Sequence, residues 1–302
     1  MACLAVANYD PSVAVTKSCA AALAMTALDT TNLRVTFTVP SNGIVFVRLR
    51  GVLHGATSCS MILLGVLEGS TVRGRGTPIG GRSATGIATA HQVVEAAFCV
   101  TGLTPGASLT WDAAYGVEFT VASSDLKYGG PNNATTNDSF GAFQFEVWET
   151  TNILAAKNYD PSTAVAKSVG TLIAMTALDT TNLRSTFTVP PSGRVNVRIK
   201  GQVDGSTVLP ALQFGILEST TVRGRTTPIG GLVDLGGGVA TTRYVFESQC
   251  VIGGLTAGSS LTWDAAYSVD IVAASGNINY GGPNDTTASN AWGGFVYEIW
   301  VA

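Results

Sequence analysis

Polar and apolar residues alternate over short runs along the whole chain. Arg194-Val195-Asn196-Val197-Arg198-Ile199-Lys200 does so throughout, the period of two that marks a strand with one wet and one buried face. Val45, Val47 and Leu49 keep the same apolar side 150 residues earlier. Phe143, Phe145 and Val147 alternate again, and Phe295, Tyr297 and Ile299 repeat them. Leu109, Trp111, Ala113 and Tyr115 form one face of a further strand. Between the runs stand Pro40-Ser41-Asn42-Gly43, Pro190-Pro191-Ser192-Gly193, Thr104-Pro105-Gly106 and Gly129-Gly130-Pro131-Asn132, all of them turn chemistry. Many short strands bounded in this way predict an all-β protein of antiparallel sandwich or jelly-roll type. The stretch 20–28 reads as helix-like, but its counterpart begins Gly170-Thr171-Leu172-Ile173, so no helix is expected there.

The pattern occurs twice. Ala7 to Pro40 and Lys157 to Pro190 align without a gap and match at 25 of 34 positions. Thr71-Val72-Arg73-Gly74-Arg75 returns as Thr221-Val222-Arg223-Gly224-Arg225. Leu109 to Tyr115 returns as Leu261 to Tyr267, and Tyr128-Gly129-Gly130-Pro131-Asn132 as Tyr280 to Asn284, now 152 residues on. A repeat of this length is a domain duplication and not a solenoid. It divides the chain into tandem jelly-roll sandwiches at 1–150 and 151–302. No Pro- or Ser-rich linker separates them, which predicts rigid coupling.

Composition narrows the function. Only 12% of the 302 residues are charged and the net charge is −3, which supplies no footprint for a phosphate backbone, so nucleic acid is not an expected partner. Hydrophobic content of 46% excludes a disordered chain. The longest apolar stretch, Ser18 to Leu28, is too short for a membrane helix. The opening Met1-Ala2-Cys3-Leu4-Ala5 carries no basic segment, and no signal peptide is expected. A chain this apolar and poor in charge is expected to bury part of its surface against other subunits.

Two resemblances add to this reading. Pro40-Ser41-Asn42-Gly43 leading into Ile44-Val45-Phe46-Val47-Arg48 resembles the V-P-x-x-G-x-Y passage of trimeric jelly rolls of the complement globular head and tumour-necrosis-factor group. Gly141-Ala142-Phe143-Gln144-Phe145 and Gly293-Gly294-Phe295-Val296-Tyr297 resemble that group's last strand, F-S-G-F-x-x-Y. The texture of the chain, with Leu28-Asp29-Thr30-Thr31-Asn32-Leu33-Arg34 and the Gly-Gly-Pro-Asn loop, is similar to structural proteins of tailed-bacteriophage virions. The first resemblance implies a homotrimer. The second implies a virion role as a capsid decoration or fibre protein made in the host bacterial cytoplasm, with the major capsid protein or another virion protein as partner. Neither brings a catalytic residue, and a non-enzymatic protein is expected.

Candidate chemistry is sparse. The two histidines, His54 and His91, are not repeated, so a histidine-based triad or a histidine-rich metal site is not expected. The places of Cys3, Cys19, Cys59, Cys99 and Cys250 are taken in the other repeat by Ile153, Val169, Leu209, Val251 and Phe98, which reads as small buried hydrophobes. Asp29 and Asp179 recur with Arg34 and Arg184 around a Thr-Thr-Asn turn, and Glu68 and Glu218 precede the Arg-Gly-Arg segments. Paired carboxylates could serve a glycosidase; turn hydrogen bonds and Asp–Arg pairing are the simpler expectation. Asp112 and Asp264, on the polar side of the Trp strands, suit cross-strand or subunit contacts. Arg73, Arg75, Arg223 and Arg225 sit on two glycine-flexed segments able to dock an acidic partner surface, or else to stand solvated. The loops holding Tyr128 and Asn132, and Tyr280 and Asn284, are candidates for glycan or interface contact, which would make the protein a carbohydrate- or receptor-binding fibre adhesin. No cofactor is expected.

Overall fold

The computed structural model describes residues 2–19, 24–55, 58–59, 62–78, 84–85, 90–117, 124–131, 139–169, 174–208, 212–226, 242–269, 275–283 and 291–302. Strands are their regular secondary structure, and the protein is all-β with antiparallel sheets. Two compact units are present. The first comprises Met1–Thr151 with Ser162–Ala164 and Gly282–Gly293; the second comprises Asn152–Pro161, Val165–Gly281 and Gly294–Ala302.

In the first unit the long strand Val45–Gly55 is the axis of one sheet. Ala90–Val100 pairs along its full length on one side. On the other side, Phe143–Glu149 takes its first half and Ser124–Tyr128 its second. Cys3–Tyr9 and Val15–Ser18 lie outside these. The facing sheet runs Thr71–Gly76, Ile62–Glu68, Ser108–Val117, and then Arg34–Thr38 beside Thr26–Ala27. The first strand therefore pairs with the last, and the chain crosses repeatedly between sheets, as in a jelly roll. The second unit repeats this order around Val195–Val208. The helix-like stretch is a two-residue strand at Thr26–Ala27 where the structure describes it.

The period of two decides which side chains meet. Val45, Val47, Leu49 and Leu53 are buried toward the facing sheet, where Trp111, Ala113, Tyr115 and Val117 receive them. Trp111 packs edge-on against Phe37 at 4.8 Å, and Trp263 repeats this on Phe187. Gly51 breaks the apolar run for a steric reason: a Cβ there would stand 2.8 Å from the Phe143 ring. Gly201 is likewise covered by Phe246 and Phe295.

The two cores are filled differently. The first places Leu64, Val94 and Phe98 where the second has Phe214, Phe246 and Cys250. Phe214 and Phe246 stack with centroids 4.0 Å apart, so the aromatic bulk has moved between strands while the total volume is kept, the kind of exchange that cores tolerate.

Candidate functional site

The recurrent charged and aromatic positions are the candidates for chemistry, and the structure shows what each side chain is doing. Glu68 ends the strand Ile62–Glu68, and Gly69, with φ of 61°, turns the chain so that Thr71–Gly76 comes back beside it. The Glu68 carboxylate accepts from Arg73 Nε at 2.7 Å and from the Trp111 indole N–H at 3.2 Å. The Arg73 hydrogen bond holds that carboxyl below its ordinary range, against an opposing push from partial burial. Glu218 repeats the arrangement with Arg223 and Trp263. These acids anchor an indole and an arginine.

Asp112 is buried and accepts from Arg34 Nε at 2.7 Å and from its terminal nitrogen at 2.9 Å. Asp264 and Arg184 do the same at 2.7 and 2.8 Å. The expected Asp–Arg pairing is present as a cross-strand contact, with Asp112 and not Asp29 as the partner of Arg34. Asp29 instead accepts the backbone N–H groups of Thr31 and Asn32 and the Asn32 side-chain amide, capping the Thr-Thr-Asn turn. Arg34 points across the strand pair to Asp112, because Arg34 and Asp112 are direct partners in the antiparallel register. Spacing along the chain favours the near acid; sheet register selects the one 78 residues away.

The four arginines separate. Arg73 and Arg223 are exposed and bound to their glutamates. Arg75, in contrast, is only 2% exposed. Its guanidinium donates to the carbonyl of Gly282 at 2.6 Å and to that of Pro283 at 3.2 Å, both within the first unit. Burial sets Arg75 apart from both expectations, docking to a partner surface and standing solvated. Arg225 is exposed.

Tyr128 and Tyr280 are each 1% exposed. Tyr128 packs on Tyr9 at 6.1 Å and edge-on against Phe143 at 5.7 Å, and Tyr280 does the same with Tyr159 and Phe295. Burial pushes both phenols well above their ordinary range. The alternation of their strands turns both rings into the sandwich, so Tyr128 and Tyr280 do not offer the glycan or interface contact for which their loops are candidates. Asn132 and Asn284 lie outside the described residues. Gly129, with φ of 75°, follows Tyr128 and closes on Pro11, where a Cβ would meet proline atoms at 2.5–2.7 Å.

Cys19 and Cys99 are buried as expected, whereas Cys3 is exposed at the start of its edge strand and Cys250 is part-buried. Among the described residues, no group of three or more His, Cys, Asp or Glu is placed to hold a metal ion. One groove is open on the first unit, lined by Ser12, Val13, Thr16, Lys127, Pro131 and Phe140. The Lys127 ammonium sits over the Phe140 ring at 5.1 Å. No motif in the sequence marks this groove, although Lys127 and Phe140 flank the Gly-Gly-Pro-Asn loop.

No family model matches the chain, and no curated protein matches it. Among solved structures it is similar to PNGase F, a glycosylasparaginase from Flavobacterium meningosepticum, at 10% identity over 96% of each chain with a TM-score of 0.28. It is also similar to the ANX2 ectodomain from Arabidopsis thaliana, at 11% identity over 98% of this chain and 88% of that one, with a TM-score of 0.20. A structure of infectious bursal disease virus, Gx strain, aligns at 10% identity over 98% of this chain and 75% of that one, with a TM-score of 0.16. Scores this low carry no weight for activity or for assembly.

Proposed function

We propose that the chain is a non-enzymatic structural protein of a bacteriophage virion, a capsid decoration or cement protein that works as a homo-oligomer, a trimer in the first instance. The observation that supports this reading is the employment of its few charged groups. Glu68, Asp112, Asp29 and their counterparts hold arginines, indoles and turns in place, which serves rigidity. The resemblance to phage virion proteins supplies the setting. On this reading, two jelly rolls on one chain give each molecule two attachment modules, which raises its avidity for a repetitive shell.

The test is made on particles. Virions of the phage that encodes the chain should contain it in stoichiometric amounts, and particles from which it has been removed should break at lower temperature or milder osmotic shock. Particles that lack the protein and keep full resistance would overturn the cementing role. The adhesin reading loses Tyr128 and Tyr280 as contact residues because both are enclosed.

A further inference from the structure

Matching positions of the two repeats differ in exposure, and the differences fall into two surfaces. The first is the outer face of the sheet built on Val45–Gly55. Across it, Val6, Glu146 and Arg48 stand in one cross-strand row, and Val93, Val52 and Lys127 in another. Val6 is 59% and Val93 54% exposed. The matching row of the second repeat is Ala156, Glu298 and Arg198, and all three are buried. Gln202 and Asn279, matching Val52 and Lys127, are buried as well. The second surface is the edge where Thr71–Gly76 and the end of Ala90–Val100 come together. In the first unit it is enclosed: Arg75, Thr77, Ala97 and Cys99 are buried. At the matching edge of the second unit, Arg225 and Gln249 are exposed, Val222 is 45% exposed and Val251 64%.

The first unit shows what an enclosed edge receives. Gly282 and Pro283 offer their carbonyls to Arg75. Thr77 Oγ1 donates to the carbonyl of Trp292 at 3.0 Å. Ala291 joins Met25, Leu63, Leu67 and Ala114 in an apolar cluster. Gly293 lies so close to Leu63 that a Cβ would stand 3.1 Å from its methyl carbon. The segments matching Gly282–Pro283 and Ala291–Gly293 are Gly130–Pro131 and Ser139–Gly141. They border Ser124–Tyr128 and Phe143–Glu149, strands of the open face, and Pro131, Phe140, Ser139 and Gly141 all keep solvent contact. The receiving positions are preserved as Met175, Leu217, Arg225 and Ala266. Gln213 replaces Leu63 and accepts from Ser268 at 3.3 Å, which makes this edge more polar than its twin.

We propose that the open edge of the second unit docks a second copy of this chain. It takes that copy's Gly130–Pro131 and Ser139–Gly141 segments onto Arg225, and its Val6–Val93 face beside Val222 and Val251. The occupant is another copy because this chain itself carries the matching segments, with Pro131, Ser139, Phe140 and Gly141 in contact with solvent and Gly130 buried beside them. The contact is heterologous, edge to face, so successive copies close into a ring when the rotation allows and otherwise extend as a filament. It covers four of the six exposed large hydrophobic side chains among the described residues, which answers the cost of leaving them in water. This inference holds or fails independently of whether the chain serves on a virion.

The test uses the full chain with Val93→Glu on the face and Val251→Glu on the edge, read by light scattering. Val6→Glu is a second face variant, and circular dichroism confirms the folding of each. The wild-type protein should have a mass that is a multiple of the single-chain mass, and each variant alone should fall to that of one chain. Mixing V93E with V251E should restore a species of twice the chain mass and no larger, since one intact edge meets one intact face. A monomeric wild type, folded variants that stay assembled, or a mixture that does not pair would each overturn the proposal.

Discussion

Arg75 and Arg225 hold the same position in two copies of one sequence and live in opposite surroundings. Arg75 is enclosed, with its guanidinium 2.6 Å from the carbonyl of Gly282, while Arg225 is exposed. Identical residues thus predict unequal consequences. Arg75→Ala removes charged hydrogen bonds and leaves the buried Gly282 carbonyl and the part-buried Pro283 carbonyl without those donors, at a cost of about 2–4 kcal/mol. Arg225→Ala, in the isolated chain, should cost no more than ~0.5 kcal/mol, as surface substitutions do. Urea titration of the two variants side by side gives the comparison; equal midpoints would show that the Gly282–Pro283 contact contributes nothing.

The Arg34–Asp112 pair is lopsided in burial. The arginine side chain is 45% exposed and the carboxylate 6%. Removing Arg34 strands a buried negative charge, whereas removing Asp112 frees an arginine that can turn to water. Arg34→Ala should therefore lower the thermal midpoint more than Asp112→Ala, and the double variant should be more stable than Arg34→Ala alone. A double variant whose loss equals the sum of the two singles would show the pair to be uncoupled.

Ser219 takes the place of Gly69 in the second repeat and carries φ of 56°, beside 61° for the glycine. A left-handed backbone costs a non-glycine residue roughly 1–2 kcal/mol, and glycine returns part of that gain as chain entropy. Ser219→Gly should accordingly stabilise the chain by a few tenths to ~1 kcal/mol. Gly69→Ser should destabilise it by a similar amount, and differential scanning calorimetry resolves both signs.

Several carboxylates should make the fold sensitive to acid. Arg73 holds Glu68 below its ordinary range. For Asp29 and Asp179, partial burial pushes upward, but the N–H groups of the Thr-Thr-Asn turn and the asparagine amide outweigh it. Glu247 is lowered by Arg198 in the same way, against its own burial. Each of these groups binds protons more readily when unfolded, so its contribution is complete above the unfolded value. That contribution fades as pH falls through the lower folded one. Stability should be flat near neutrality and drop from about pH 4 downward. Glu68→Gln should shallow that acid limb, and a chain that gains stability on acidification would refute these assignments.

The sandwich is legible in the sequence because alternation is a local property: Val45-Val47-Leu49 and Phe143-Phe145-Val147 announce their buried sides residue by residue. The repeat makes each strand visible twice. Pairing is less legible, since register joins residues far apart in sequence. Arg34 stands near Asp29 along the chain, yet it reaches Asp112 across the sheet. The turn that follows Tyr128 suggests a loop residue, yet Tyr128 closes a strand and packs on Phe143. The unequal fates of Arg75 and Arg225 cannot be read from their own strands, because Thr71 to Arg75 and Thr221 to Arg225 match letter for letter.

Whether one chain is the whole molecule decides the matter. The most direct measurement is the mass of the wild-type protein in solution by light scattering across a range of concentrations. Exposed valines on one face and one edge predict an assembly of several chains that holds together on dilution, and a mass of three chains would agree with the proposed trimer. A particle with the mass of a single chain at every concentration would contradict it.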